Sequence, residues 1–186
     1  MPPSGDFRPT LPRRGGTRGL ASALIAGLAV ACSPTLDWRD ARVDGGLTTL
    51  FPCKPAELAR DTALNGRRMR MTLLSCTAGG ASYSVSHADV RAPDAVAPAL
   101  AELRSALAAN VGALSADGVP LRVPGMTPGS QALRLRSVGH LPDGTAVEEH
   151  AALFARGTHI YQAVVLGAHP EDEAVETFFG ALKLTQ

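Results

Sequence analysis

The sequence has few aromatic residues, few cysteines and almost no excess of charge of either sign. Of its 186 residues 4% are aromatic, with one tryptophan, and the net formal charge is +1. So few aromatic side chains argue against an aromatic ligand cage and leave the core to Leu, Val, Ala and Met. We expect no nucleic-acid partner, because the chain has no basic cluster to neutralise phosphates.

The chain also lacks an apolar run long enough to cross a membrane, which takes about 20 residues. Its longest apolar stretch, residues 19–31, is shorter and follows a segment that carries Arg13, Arg14 and Arg18. A cationic segment, a short apolar run and small residues at its end are typical of a secretory signal peptide. We therefore predict that residues 1–31 are removed, which leaves 14 basic and 16 acidic residues.

The predicted signal ends in the letters AVAC, closing at Cys32, and resembles the lipobox of bacterial lipoproteins. The resemblance implies cleavage before Cys32, a diacylglycerol thioether on its sulfur and an acylated N-terminus, with residues 32–46 as an acylated tether. Ala29 stands where leucine is usual, and an ordinary secretory signal cut near Ala31 is the alternative. By resemblance to lipoprotein sorting, Ser33 after the cysteine favours the outer membrane.

Two cysteines remain in the exported chain, Cys53 and Cys76. An even pair in an oxidising envelope compartment predicts a disulfide. The alternative is a reactive or metal-binding thiol pair, but the two cysteines have no CxxC spacing and no histidine nearby. We therefore expect the pair to be structural.

Residues 47–186 predict one α+β domain, with an antiparallel sheet of about six strands flanked by helices. Asn65-Gly66 is the strongest short hairpin signal and separates strands at 60–64 and 67–76. Apolar residues three and four apart predict a helix over residues 94–111, with an alternative start near Ala97 because Pro98 lies in its first turns. Acidic residues after Pro170 predict a final helix. Alternation and β-rich composition predict further strands at 47–52, 81–87, 133–136, 145–155 and 158–166.

Two segments leave alternatives open. Residues 33–46 carry Trp38 and either lie at the membrane surface or pack as the first strand. Residues 115–130 are rich in glycine and proline and predict a long loop with at most one short strand, at 121–123. Long loops in compact domains are often functional, but an ordinary crossover back to the sheet fits this one equally well.

The order of these elements resembles the α/β/α sandwich of Mog1/PsbP-type proteins over about residues 47–184. The resemblance implies that fold and a binding or assembly role, because the family is mostly non-enzymatic. The resemblance implies no catalytic residue in this chain, and a fold by itself does not establish a function. The features that carry it are Phe51-Pro52, the YSVS run at 83–86 with Asp89, Pro124-Gly125, Tyr161, Phe178-Phe179 and Leu182.

The histidines show no metal-binding spacing, since none forms an HxH or HxxxH pair. We therefore predict no metal site and no cofactor. A hairpin turn at Arg156-Gly157 would pair His159 near Phe154 rather than with His150. The set comprises His87, His140, His150, His159 and His169.

No catalytic residue is predicted either. Ser86, His87 and Asp89 are close in sequence, but the members of a triad usually converge from distant segments. In addition, neither serine of the 83–86 run lies in a Gly-x-Ser-x-Gly motif, the nucleophile elbow of hydrolases. The enzymatic alternative is an envelope hydrolase that uses His87 or His140 beside the Gly/Pro-rich loop.

Four arginines on predicted strands could form a basic stripe on one sheet face: Arg68, Arg70, Arg134 and Arg136. The functional interpretation is a carrier of an anion or small ligand. The favoured interpretation is a solvated face whose arginines pair with Glu148 or Glu149. These two carboxylates are not expected to form an acid/base dyad, because adjacent strand residues face opposite sides of a sheet.

The sequence thus predicts a lipid-anchored cell-envelope protein at the outer membrane, facing the periplasm, whose domain is a non-catalytic binding or assembly module. Its expected partners are the membrane, through the lipid on Cys32, and another envelope protein. The hydrolase and the anion carrier are the alternatives.

Overall fold

The computed structural model describes residues 36–113, 117–129 and 131–185. The predicted signal peptide and lipid-bearing Cys32 lie outside the described residues. Within the described part of the chain, no helix is long and apolar enough to cross a membrane.

A three-stranded antiparallel sheet is formed by the first two strands and the last. These are β1 (Arg39–Val43), β2 (Leu47–Phe51) and β10 (Lys183–Leu184), with β2 in the centre. A 3-10 turn, Asp44–Gly46, joins β1 to β2. The turn needs a glycine at Gly45, whose φ of 74° is left-handed.

A seven-stranded antiparallel sheet forms the centre of the domain. Its members are β3 (Ala56–Leu64), β4 (Arg67–Ala78), β5 (Ala81–Asp89), β6 (Asp117–Pro120), β7 (Leu133–His140), β8 (Ala146–Arg156) and β9 (His159–Gly167). Their order across the sheet is β3-β4-β5-β9-β8-β7-β6. The edges of the sheet are therefore β3 and β6, and β9 lies at its centre.

Both faces of the large sheet are covered. One face packs against helix α1 (Pro93–Asn110), whose Leu100 and Leu107 meet strand residues such as Leu135 and Ile160. The opposite face packs against helix α2 (Asp172–Gly180) and the small sheet. The few aromatic residues gather on that second face, where the Phe178 ring lies edge-on, 5.4 Å between centroids, to both Phe51 and Tyr83. Such pairs contribute about 1 kcal/mol each beyond their burial.

The predicted α+β class and mainly antiparallel sheet agree with this architecture. The hairpin at Asn65-Gly66 is present, with φ of 50° and 69° at the two turn residues, as a type I′ turn requires. The long helix lies within one residue of its predicted bounds. The large sheet has seven strands where about six were predicted, and the strand predicted at 47–52 lies instead in the separate three-stranded sheet.

Two predicted boundaries need correction. Residues 39–46, assigned to the tether, belong to the fold, because Arg39 to Val43 pair along β2; packing as the first strand was the alternative left open. In the Gly/Pro-rich segment, the short strand is Asp117–Pro120 rather than residues 121–123. Gly118 and Pro120 are tolerated there because β6 is an edge strand and pairs only with β7.

Cys53 and Cys76 form a disulfide, with Cα atoms 6.0 Å apart. Cys53 follows β2 of the small sheet, whereas Cys76 lies in β4 of the large sheet. The bond therefore joins the two sheets covalently.

Candidate functional site

A charged concave surface lies over β7, on the face that α2 covers in part. We call it the arginine cavity; it has a volume of about 380 Å³. Arg134 and Arg136 share that face because they lie two residues apart on one strand. Val119 of β6 pairs opposite Arg134, and His150 of β8 pairs opposite Arg136. The surface is completed by Gly118, Leu135 and Glu176.

The Arg134 guanidinium is held by helix α2. Its Cζ lies 3.2 Å from the centroid of the Phe179 ring, in a cation–π contact. Its Nη2 donates a hydrogen bond to Glu176 at 3.2 Å, whereas its Nη1 is buried without a hydrogen-bond partner among the described residues. Burial lowers the pKa of Arg134 from its usual value, and Glu176 opposes that effect.

Arg136 and His150 are tied to one carboxylate. Glu148 accepts a hydrogen bond from Arg136 Nε at 2.7 Å, and its Oε1 also lies 2.5 Å from His150 Nε2. The Arg136 hydrogen bond is the largest cause of a lowered pKa at Glu148. This part of the cavity wall is therefore charge-compensated.

The four arginines do not form one stripe. Arg68 and Arg70 lie on β4, which is separated from β7 by three strands. At about 4.8 Å between neighbouring strands, the two pairs stand about 19 Å apart. The prediction of salt-bridged arginines is met on β7, where Arg136 pairs with Glu148, while Arg134 pairs with Glu176 of α2.

A second polar cluster, the histidine pair, lies where β5 and β9 meet. His87 Nε2 and His159 Nδ1 are 2.9 Å apart. Because one ring must donate and the other accept, at least one of the two imidazoles is neutral. Burial lowers the pKa of His87, His159 lowers it further, and Asp44 and Asp89 oppose the shift.

The turn at Gly45 closes over the histidine pair. The Gly45 carbonyl accepts a hydrogen bond from Tyr161 Oη at 2.9 Å and another from Arg156. Burial raises the pKa of Tyr161 to about 12, so the phenol stays protonated and donates. A Cβ atom at Gly45 would collide with Tyr161 and His87 and would crowd His159.

The sequence missed this pair, and one register prediction was wrong. His159 pairs opposite Arg156 rather than near Phe154, because the two-residue turn lies one position later, at Gly157-Thr158. As predicted, His159 does not pair with His150, which lies opposite Val165. No sequence signal joins His87 to His159, since 72 residues separate them.

The two histidines of the hydrolase alternative, His87 and His140, lie on different strands, β5 and β7. Ser86 and His87 are adjacent in β5 and therefore face opposite sides of the sheet. His140 ends β7, where its backbone N–H donates to the Val111 carbonyl at 2.8 Å. Among the described residues, no group of three or more His, Cys, Asp or Glu side chains is placed to hold a metal ion.

The two adjacent glutamates also face opposite sides, as predicted. Glu149 is 3% exposed on the α1 face, and burial raises its pKa to about 7. Ser137 lies opposite it on β7 and is buried, and its hydroxyl has no hydrogen-bond partner among the described residues. No sequence signal identifies this buried carboxyl, because strand alternation alone does not show that α1 covers it.

Comparisons of the chain with protein-family models, with curated proteins and with solved structures gave no significant match.

Proposed function

We propose that the chain is a lipid-anchored protein of the bacterial outer membrane whose α+β domain binds or helps to assemble another envelope component without catalysis. The observation that carries the envelope location is the Cys53–Cys76 disulfide, since disulfides persist in oxidising compartments. The signal-like N-terminal sequence and Cys32 supply the anchor in this proposal.

A lipid at Cys32 would hold the domain close to the bilayer. Six residues lie between Cys32 and Arg39, where β1 begins, and the seven Cα–Cα steps from Cys32 to Arg39 span at most about 25 Å. The end of the domain nearest to Leu36 also carries the β4–β5 turn, because Leu36 lies beside Gly79. The tether would therefore leave the domain at the end that carries this turn, and the histidine pair lies toward the opposite end of β5.

We also propose that the domain has a Mog1/PsbP-like sandwich fold. Its support is the order of the elements and their layers, with α1 on one face of the large sheet and α2 on the other. The binding role follows from that likeness. The hydrolase alternative has less support, because Ser86 faces away from His87.

A second candidate function is the carrier of a small anion. It is favoured by one observation, the cavity of about 380 Å³ bordered by Arg134 and Arg136. That volume lies within the range of about 300–1,000 Å³ found for small-molecule sites.

Membrane fractionation of Cys32→Ala tests the anchor. The wild-type protein should sediment with the outer membrane, and Cys32→Ala should appear in the soluble fraction, since the acyl chains on Cys32 supply the binding to lipid. Ser33→Ala is the matched control, because it changes the neighbouring residue and keeps the cysteine. A Cys32→Ala protein that stays with the membrane would show that the lipobox interpretation is wrong.

Cross-linking of the anchored wild-type protein in membranes, followed by affinity capture, tests the binding role. We expect a stoichiometric envelope component that is recovered reproducibly. Repeated recovery of the chain alone would contradict an assembly role.

A further inference from the structure

The arginine cavity contains a guanidinium whose donors are mostly unused. Arginine has five N–H donors in a rigid fork. Among the described residues, the one hydrogen bond of Arg134 is that from Nη2 to Glu176. The Arg134 side chain is only 18% exposed. Most of its N–H donors are therefore shielded from water but have no hydrogen-bond acceptor in the part of the chain that the structure describes.

The guanidinium is also fixed in place before any ligand arrives. The Cζ atom of Arg134 lies over the Phe179 ring. The backbone of Arg134 belongs to β7, which is paired with β6 on one side and β8 on the other. A fixed fork loses little conformational freedom on binding a planar anion.

Its present partner is weak. The Glu176 side chain is 77% exposed, and an ion pair with such an exposed member contributes about 1 kcal/mol or less. A carboxylate from solution can therefore replace Glu176 at Arg134. The Glu148 carboxylate, by contrast, is held by both Arg136 and His150 and is not expected to leave.

The remaining wall suits a short aliphatic group. Val119 is 61% exposed where it borders the cavity, directly opposite Arg134 in the β6–β7 ladder. An apolar surface of this kind beside a cationic fork fits a ligand that has a carboxylate at one end and a few methylene groups at the other.

We propose that the arginine cavity binds a small aliphatic carboxylate, whose carboxylate pairs with Arg134 in place of Glu176 and whose chain packs on Val119. This inference rests on the second candidate function, the anion carrier, and gives the chemical class of its ligand. Bidentate pairing with carboxylates is the geometry that an arginine fork matches best.

Titration of the full chain, purified in detergent, tests the class of ligand with three probes. Sodium butyrate should bind saturably with a Kd of about 1 mM, as expected for a ligand of this size. Its neutral isostere butyramide should bind at least about tenfold more weakly, and inorganic phosphate, which has no aliphatic part, should also be weaker. The ligand class is wrong if phosphate or butyramide binds as tightly as butyrate, or if butyrate does not saturate.

Two exposed substitutions locate the site without disturbing the core. Glu176→Gln removes the competing carboxylate and should tighten butyrate binding about two- to fivefold, whereas Glu173→Gln, on the same helix, should leave it unchanged.

Val119→Asp should weaken binding by about tenfold. Val138→Asp is its control, because Val138 is equally exposed, at 68%, on the same face but is not part of the cavity wall.

Arg134→Met should abolish butyrate binding, because methionine keeps an apolar stem against Phe179 but has no charge. Arg68→Met is the matched control on β4 and should bind as the wild type does. Equal binding by the Arg134 and Arg68 variants would overturn the proposal. Such a failure would not affect the envelope proposal, which is read separately from the membrane fractionation of Cys32→Ala.

Discussion

Glu148 and Glu149 show how a single step along a strand changes the chemistry of a residue. Glu148 faces α2 and receives hydrogen bonds that lower its pKa. Glu149 faces α1, is buried beside Ser137, and has its pKa raised to about 7. One carboxylate is stabilised in its charged form by the fold, and the other is stabilised in its neutral form.

Replacement of Glu149 by glutamine should therefore stabilise the domain at alkaline pH. The folded-state pKa of Glu149 lies above its reference value of 4.5, so its contribution to stability is complete below about pH 4.5 and is lost as the pH rises through 7. We expect Glu149→Gln to be about 3 kcal/mol more stable than the wild type at pH 8 and equal to it near pH 4.5. Urea unfolding at both pH values measures this.

Glu148→Gln is the matched control and should behave in the opposite way. Because the fold lowers the pKa of Glu148, its contribution to stability is present above the unfolded value of about 4.5 and is lost as the pH falls through the folded value. Glu148→Gln should thus be less stable than the wild type at pH 8 and approach it in acid. If the two variants shift the unfolding free energy in the same direction at pH 8, the assignment of their environments is wrong.

At the scale of elements, local sequence patterns correctly predicted a helix and a hairpin, whose formation depends on residues close together in the chain. Helix α1 follows from apolar residues at three- and four-residue steps, and the β3–β4 hairpin follows from Asn65-Gly66. Both signals lie within the element itself. Their success shows local propensity and tertiary structure in agreement.

Strand order could not be predicted in the same way. β5 lies beside β9 although α1 and three strands separate them along the chain, and that adjacency alone brings His87 to His159. It also places β4 and β7 far apart, which divides the arginines into two pairs. The sequence thus identified Arg134 and Arg136 as candidate ligand residues but could not show which partners each would have.

The contact between α1 and β7 gives a prediction at this scale. Gly139 of β7 lies against the end of α1, where a methyl group would overlap the carbonyl oxygen of Val111. The same carbonyl accepts the His140 N–H at 2.8 Å, so it cannot move away without loss of that bond. We expect Gly139→Ala to lower the unfolding free energy by about 3 kcal/mol, as measured by urea denaturation.

Gly180→Ala provides the control for that substitution. Gly180 is the last residue of α2, has open space around its Cα, and has no left-handed φ. Alanine there should be neutral or stabilise the domain by less than about 1 kcal/mol. A Gly139→Ala protein as stable as Gly180→Ala would contradict close packing of α1 on β7.

The molecule as a whole has two sheets that pack on a shared core. The small sheet packs on the large one through apolar and aromatic side chains, such as Phe51 of β2 against Phe178 of α2. The disulfide adds a covalent link between them at the end of β2. An oxidising compartment would maintain this link, and we expect it to contribute to the stability of the whole domain.

Reduction of the Cys53–Cys76 bond should therefore destabilise the entire domain rather than one sheet. The bond closes a loop with a sequence separation of 23 residues, which in the chain-entropy model stabilises the folded state by about 3 kcal/mol. We expect reductant to lower the free energy of urea unfolding of the wild type by that amount. Tryptophan fluorescence and circular dichroism should both report a single unfolding transition. A Cys53→Ala/Cys76→Ala variant should resemble the reduced protein and should not respond to reductant, because it has no bond to lose.

If thiol labelling of the unreduced, denatured protein modifies both cysteines, the bond does not form, and the strongest support for the envelope location is lost with it.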